Sequence, residues 1–463
     1  MDDPLNFNQY PQRPKRRKRT RQDIFKEVYL PGIIACVTML LIIIFIIGSI
    51  TRAIQHSRYD KAVAKQEALA AQQIRDALDK EAAQISATAT TFADKFDYRT
   101  AINLLNSFSG DLSEYPELTD KIAKYEEAEQ NLILWDDPNS VVSLSFHILI
   151  ADGEKAFSNP TYGTKYRSNF ITTTEFRNIL LELYKNNYIL VSLSDVSNPD
   201  GMQLYLPAGK KPLLLTQTNV NYYQYMIDSN GDHLADAGGA GFASRLILDA
   251  NGNISCEMIA SDGQAVNGQY DMVPILESFI ETHPDFSYRN AKAVLAVTGY
   301  DGIFGYRTNA SAAEYLDATA YMQEVEGAKS ISNKLRDLGY ELACYTYDNI
   351  AYGNNAAEKV KSDLTLWANE VTPILGNTNI LVYAQNSDIS GKNAPYSGEK
   401  FNILSANGFS CFLGFCSKNE NWCYQNVEYT RIGRIQITGS DLTGNKSLYE
   451  GIFDAAAVID PAR

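Results

Sequence analysis

Histidine and cysteine are scarce in this chain of 463 residues, which has four of the first (His56, His147, His233, His283) and six of the second. No two histidines stand in a His-x-x-x-His spacing and no Cys-x-x-C pair occurs, so a zinc knuckle is not indicated. Six cysteines are also too few to staple so long a chain as a disulfide scaffold. Cys36 lies in an apolar run and Cys256 and Cys344 stand alone, whereas Cys411, Cys416 and Cys423 cluster. Buried thiols and one disulfide within that trio both stay open. No G-x-S-x-G elbow, phosphate-binding G-x-x-x-x-G-K-[ST] loop or H-E-x-x-H helix is present, which removes the usual signatures of acyl transfer, nucleotide binding and zinc proteolysis. Positive charge is short as well. The formal net charge is −14, and the first 28 residues hold eight Lys or Arg against four Asp or Glu, so the remainder carries −18. A surface of that sign does not suit nucleic acid, whose phosphates need a basic face.

What is present begins with an uncharged apolar run from Ile33 to Ile50, IIACVTMLLIIIFIIGSI, preceded by Tyr29 and Leu30. Roughly 20 such residues cross a hydrocarbon core as a helix. The basic cluster RPKRRKRTR (Arg13 to Arg21) lies before it, and only Arg52, Arg58 and Lys61 follow closely. The positive-inside rule therefore predicts a basic cytoplasmic tail (1–28), a transmembrane helix (29–50), and everything after Thr51 outside the cell. A cleaved signal peptide would have a shorter apolar core with an A-x-A-like site directly after it, and this run has neither.

Residues 51–91 are rich in Ala, Gln, Glu and Lys and contain no Gly or Pro, a composition that predicts a helical stalk. Two further segments with helical spacing, Asp94–Gly110 and Ser113–Leu132, predict a helical hairpin within 92–134. WDDP (Trp135 to Pro138) is the expected boundary of the last domain, 135–463. From Val141 the texture changes to short apolar runs alternating with amphipathic helices, namely 141–150, 172–187, 188–193 and 212–217. That alternation predicts parallel strands with crossover helices. Thr172 to Thr174 followed by Glu175 supplies an N-cap signal for the first of these helices.

These segments resemble the polysaccharide deacetylases, a metal-dependent family that removes acetyl groups from chitin-like glycans and peptidoglycan. SLSFHIL looks like the family's opening strand, TTTEFRNILLELYKNNYILVSLSDV its first helix and second strand, and GKKPLLLTQTNV the strand that ends in Thr-Phe-Asp-Asp-Gly. SISNKLRDLGYELACYTYDN (Ser330 to Asn349) is similar to the elements leading into His-Ser/Thr-x-x-His, and Val360 to Ile389 to those carrying Arg-x-Pro-Tyr. The resemblance implies an α/β fold, a distorted (β/α) barrel with an insertion near 221–270 and a groove at the C-terminal ends of its strands.

The family's chemistry needs a metal-activated water, a base and an oxyanion stabiliser. Its base and metal ligands fall here on Thr218, Asn219, Tyr345 and Asn349, and the proline of the later motif on Ala384. Hydroxyl, amide and protonated phenol are poor substitutes for imidazole and carboxylate, so the expectation is a catalytically degenerate site with no metal and no cofactor. His147 at a strand end and His283 before Pro284 read as structural histidines. Asp348 and Asp388 near strand ends are a weak carboxylate pair of glycosidase type. The segment SNGDHLADAGG (Ser229 to Gly239) is faintly like a calcium loop but lacks Glu at the twelfth position.

A groove without metal still suits a sugar, because Asn, Thr and Tyr bond hydroxyls and aromatic rings cover a pyranose face. Tyr222 and Tyr223 in NYYQYM, and Trp422 and Tyr424 in NWCYQN, are the expected stacking residues. The leading functional expectation is a membrane-anchored, extracytoplasmic, catalytically degenerate domain that recognises cell-wall glycan or a wall-associated protein. An active N-acetyl-glycan deacetylase with a non-standard site and a purely structural ectodomain are the alternatives.

Overall fold

The structure, a computed structural model, describes residues 20–198, 201–228, 233, 236–237, 239–392 and 394–463. Most of the calcium-loop-like segment 229–239 and of the basic tail 1–28 lies outside them. The chain divides into two compact units, Met1–Ala83 and Gln84–Arg463.

In the first unit the described residues are almost wholly helical. Helix α1, Leu30–Ala93, begins there and ends in the second unit, running without interruption through the expected limit between span and stalk. No proline or glycine after Gly48 breaks its hydrogen-bond ladder. Within the apolar run and just after it the hydroxyls of Thr38, Ser49 and Thr51 donate to the carbonyls of Ile34, Phe45 and Ile47 at 2.8, 2.8 and 2.9 Å. The helix thereby satisfies its own polar groups, as a segment in hydrocarbon must. It is the one helix among the described residues long and apolar enough to cross a membrane.

In the second unit the last turns of α1 meet a hairpin of α2 (Tyr98–Asn106) and α3 (Pro116–Gln130). Lys121 Nζ donates to Thr90 Oγ1 at 2.8 Å, and the Tyr98 and Tyr125 rings stack at 6.1 Å. The hairpin is fastened to the barrel by Arg289 N to Lys95 O and by Lys95 Nζ to Asn290 Oδ1, both 2.8 Å.

Seven strands form the barrel: β1 (Val142–Phe146), β2 (Lys211–Thr218), β3 (Val294–Val297), β4 (Glu341–Cys344), β5 (Ile380–Val382), β6 (Cys411–Cys416) and β7 (Thr430–Gln436). Every neighbouring pair is parallel, the strands follow chain order around the ring, and β7 pairs with β1 to close it. Strands covered on both faces read as near-continuous apolar runs rather than alternating ones, which is why β1, β3, β5 and β7 are buried throughout. A short strand, Tyr188–Leu190, adds to the start of β2, and Cys423–Gln425 pairs antiparallel with β7.

After β1 and two short helices, Gly153–Phe157 and Gly163–Asn169, comes α4 (Thr173–Lys185), which is fixed by a capping box: Glu175 N donates to Thr172 Oγ1 at 3.1 Å and Thr172 N to Glu175 Oε2 at 2.8 Å. The insertion contains a three-stranded antiparallel sheet, Arg245–Leu248, Ile254–Ile259 and Ala265–Gly268. Behind it the buried Asp271 accepts from Leu149 N (2.9 Å), Gln217 Nε2 (2.7 Å) and Tyr222 OH (2.5 Å), joining insertion to barrel. All six cysteines are free thiols.

Candidate functional site: the C-terminal mouth of the barrel

The backbone at the C-terminal ends of the strands turns through conformations that most side chains avoid. Asn219 and Tyr222 after β2, Thr346 and Asn349 after β4, and Gln385 and Asn386 after β5 all have φ between 50° and 63°. A β-branched residue such as Thr346 is costly there, and its Oγ1 is held by the Ile350 N–H at 3.0 Å. Outliers of this kind gather where surrounding structure holds a chain in place for a task.

The turns aim a polar cluster inward. Thr218 Oγ1 lies 2.8 Å from His147 Nδ1 and 3.2 Å from Phe146 O, and Asn219 Nδ2 is 3.4 Å from the same imidazole nitrogen. Burial, helped by the charge of Arg434, lowers the His147 pKa to about 4, so the ring is neutral at neutral pH. Tyr223 OH donates to Asn219 Oδ1 at 2.8 Å and lies 2.9 Å from Thr298 Oγ1. Asn221 ties this turn to the end of β3, accepting from Thr298 N at 3.0 Å and donating to Thr298 O at 2.8 Å.

A row of tyrosines borders the cluster. Tyr223 is stacked between Tyr225 (6.0 Å, 14° between planes) and Tyr300 (5.1 Å, 18°), and Tyr162 meets Tyr225 at 5.7 Å. Tyr223 is buried, but Tyr162, Tyr225 and Tyr300 are 36%, 44% and 38% exposed. Their rings offer apolar faces beside hydroxyl and amide groups.

The expected site residues divide accordingly. Thr218 and Asn219 meet at the mouth with His147. Tyr345 is buried beside Arg434, which its phenol influences, and it also lies near Tyr223. Asn349 does not join them by a hydrogen bond among the described residues; its carbonyl accepts from Gln385 Nε2 at 2.6 Å. Three of the four expected stacking residues need correction. Tyr222 is 1% exposed, with its hydroxyl spent on Asp271, so it presents no face to a ligand. Tyr223 supports the platform from inside rather than forming its surface. Trp422 is buried with the Arg431 guanidinium 5.4 Å from its ring, while Tyr424 is half-buried and stacks on Tyr429 at 5.9 Å.

Asp348 and Asp388 are each engaged with partners of their own. Asp388 is held by Arg431 (2.8 Å) and Tyr396 OH (2.7 Å), and Asp348 faces Lys359 at 3.3 Å. His283 packs on Phe279 and Tyr184 at 4.4 and 4.7 Å. Sequence reasoning missed Tyr162, Tyr225, Tyr300, Asp271 and Arg434. The only hint of Arg434 was two arginines inside an apolar strand, TRIGRIQ.

The donor set does not fit a divalent metal. Thr218, Asn219, Tyr345 and Asn349 bring no anionic ligand, and the fixed cation of Arg434 beside Tyr345 opposes a second positive charge. Among the described residues no three His, Cys, Asp or Glu side chains gather as a metal site would require.

No family model matches the sequence, and no curated protein matches it. Solved structures with some likeness include a deacetylase from Streptococcus pyogenes, PplD, in complex with acetate, at 12% identity and a TM-score of 0.36, covering 71% of this chain and all of that one. A de-N-acetylase from Aggregatibacter actinomycetemcomitans matches at 12% identity and a TM-score of 0.35, covering 65% of this chain and 95% of that one. Likeness at that level assigns no chemistry to this chain, and the barrel described above rests on its own strand pairing.

Proposed function

We propose that this is a single-pass membrane protein, N-terminus in the cytoplasm and barrel outside the cell, whose barrel mouth binds an N-acetylated cell-wall glycan without hydrolysing it. The observation that carries this reading is the exposed row Tyr162, Tyr225 and Tyr300 beside the polar groups of His147, Thr218 and Asn219. Tyrosine faces cover the apolar side of a pyranose while amides and hydroxyls bond its rim. Turnover would need a base. The imidazole at the mouth is neutral but engaged with Thr218, and the raised carboxyl of Asp271 is occupied by three donors.

The test is titration of the full chain, in detergent, with chitin and peptidoglycan fragments, alongside an assay for released acetate. Wild type binds, Tyr300→Ala weakens binding about tenfold with an unchanged melting curve, on the scale of one lost aromatic contact, and no acetate appears. Acetate release at a rate that His147→Gln abolishes would make the protein a deacetylase. Absence of binding to every wall glycan would leave a protein partner as the better account.

A further inference from the structure

Three arginines in the barrel unit are buried among the described residues, and two of them have carboxylate partners: Arg307 with Asp301 at 3.1 Å and Arg431 with Asp388 at 2.8 Å. Arg434 is fully buried and has none among the described residues. Its Nη1 donates to Ser145 Oγ (3.0 Å) and Gln436 Oε1 (2.8 Å), its Nη2 to Tyr383 O (3.0 Å) and, weakly, to Asn386 Oδ1 (3.4 Å). Its Nε has no hydrogen-bond partner among the described residues. A buried guanidinium served only by neutral acceptors keeps much of its desolvation cost.

One of the acceptors that cover this charge, Asn386, reaches the surface. Asn386 is exposed and follows Gln385 in a second consecutive left-handed conformation, and its bond to Arg434 is at the long end of hydrogen-bond distances. It lines a cavity of about 390 Å³ with Asp388, Lys392, Phe415 and Trp422. The other charges there cancel in pairs, Asp388 with Arg431 and Lys392 with Glu420 at 2.8 Å. Arg434 is not part of the cavity wall but lies behind Asn386, and its charge, unpaired by any carboxylate among the described residues, calls for a monoanion.

We infer that the barrel mouth recognises a carboxylate borne by its glycan, which displaces the Asn386 side chain and pairs with Arg434. This rests on the glycan reading above and names the class of sugar, one that carries a carboxylate beside its N-acetyl groups.

The full chain in detergent is titrated with two probes, chitotetraose and the hyaluronan tetrasaccharide, which share N-acetylglucosamine but differ in carboxylates. Wild type prefers the acidic probe by about tenfold or more, the worth of a charge-assisted bond over a neutral one. Arg434→Gln brings the two affinities to within about twofold of each other, and Asn386→Ala, at an exposed position that tolerates truncation, widens the preference a few-fold. Asn386→Ala decides the matter if Arg434→Gln does not fold. Equal affinities in wild type, unmoved by Asn386→Ala, overturn the carboxylate inference and leave glycan binding standing. Failure of both probes to bind overturns the glycan reading itself.

Discussion

Acidification should expose the cost of protonating His147, and the structure gives the sign of the effect and its order of magnitude. The folded pKa is about 4 against an ordinary 6.5, lowered by burial and then by Arg434. The unfolded chain therefore takes up the proton first as pH falls, and the stability this histidine confers, complete above pH 6.5, drains away between 6.5 and 4. The shift corresponds to about 3 kcal/mol. Asp271 acts in the opposite sense. Burial raises its pKa from 3.8 to about 6, so the folded protein takes up that proton first and gains about 3 kcal/mol over a similar window. The two effects largely cancel in the wild type, whose own curve would show little of either.

The measurement is therefore a difference. Urea unfolding of wild type and His147→Gln between pH 7 and pH 4, followed by fluorescence of the three tryptophans, all in the barrel unit, isolates the imidazole. Relative to the wild type, His147→Gln should gain about 3 kcal/mol on going from pH 7 to pH 4. A difference constant to within about 1 kcal/mol over that range, or an NMR titration placing the His147 imidazole near its ordinary pKa of about 6.5, would refute the burial and electrostatics assigned to this site.

Two further outcomes are expected, one from the packing of the barrel and one from the proposed topology. Gly433→Ala would push a methyl group into the Trp422 indole and the Cys416 sulfur, and overpacking of this kind should lower stability by about 1–3 kcal/mol in the same unfolding assay; an unchanged midpoint would mean that Trp422 is not seated as described. Protease added to intact cells should remove the region after Thr51 and spare the basic tail, and survival of the barrel would reverse the proposed topology.

What the sequence decided by itself was local. A run such as IIACVTMLLIIIFIIGSI has no alternative to an apolar helix, because its backbone must bond internally wherever water is absent. Thr172 and Glu175 cap their helix by a three-residue spacing, and the alternation of apolar runs with amphipathic segments from Val141 onward requires a parallel sheet with crossovers. The meeting of Thr218 with His147 was partly legible, since both sit at the ends of strands that such an alternation places side by side. The remainder depended on tertiary structure. Whether Tyr222, Tyr223 or Tyr225 faces outward turns on left-handed backbone at Asn219 and Tyr222, which no apolar period records. The burial of Arg434 and Asp271 follows from closure of β7 onto β1 and from the insertion folding over the barrel, contacts between residues more than 100 positions apart. A side chain's charge is written in the sequence, but its dielectric surroundings and partners, which set its energy, exist only once those distant segments meet.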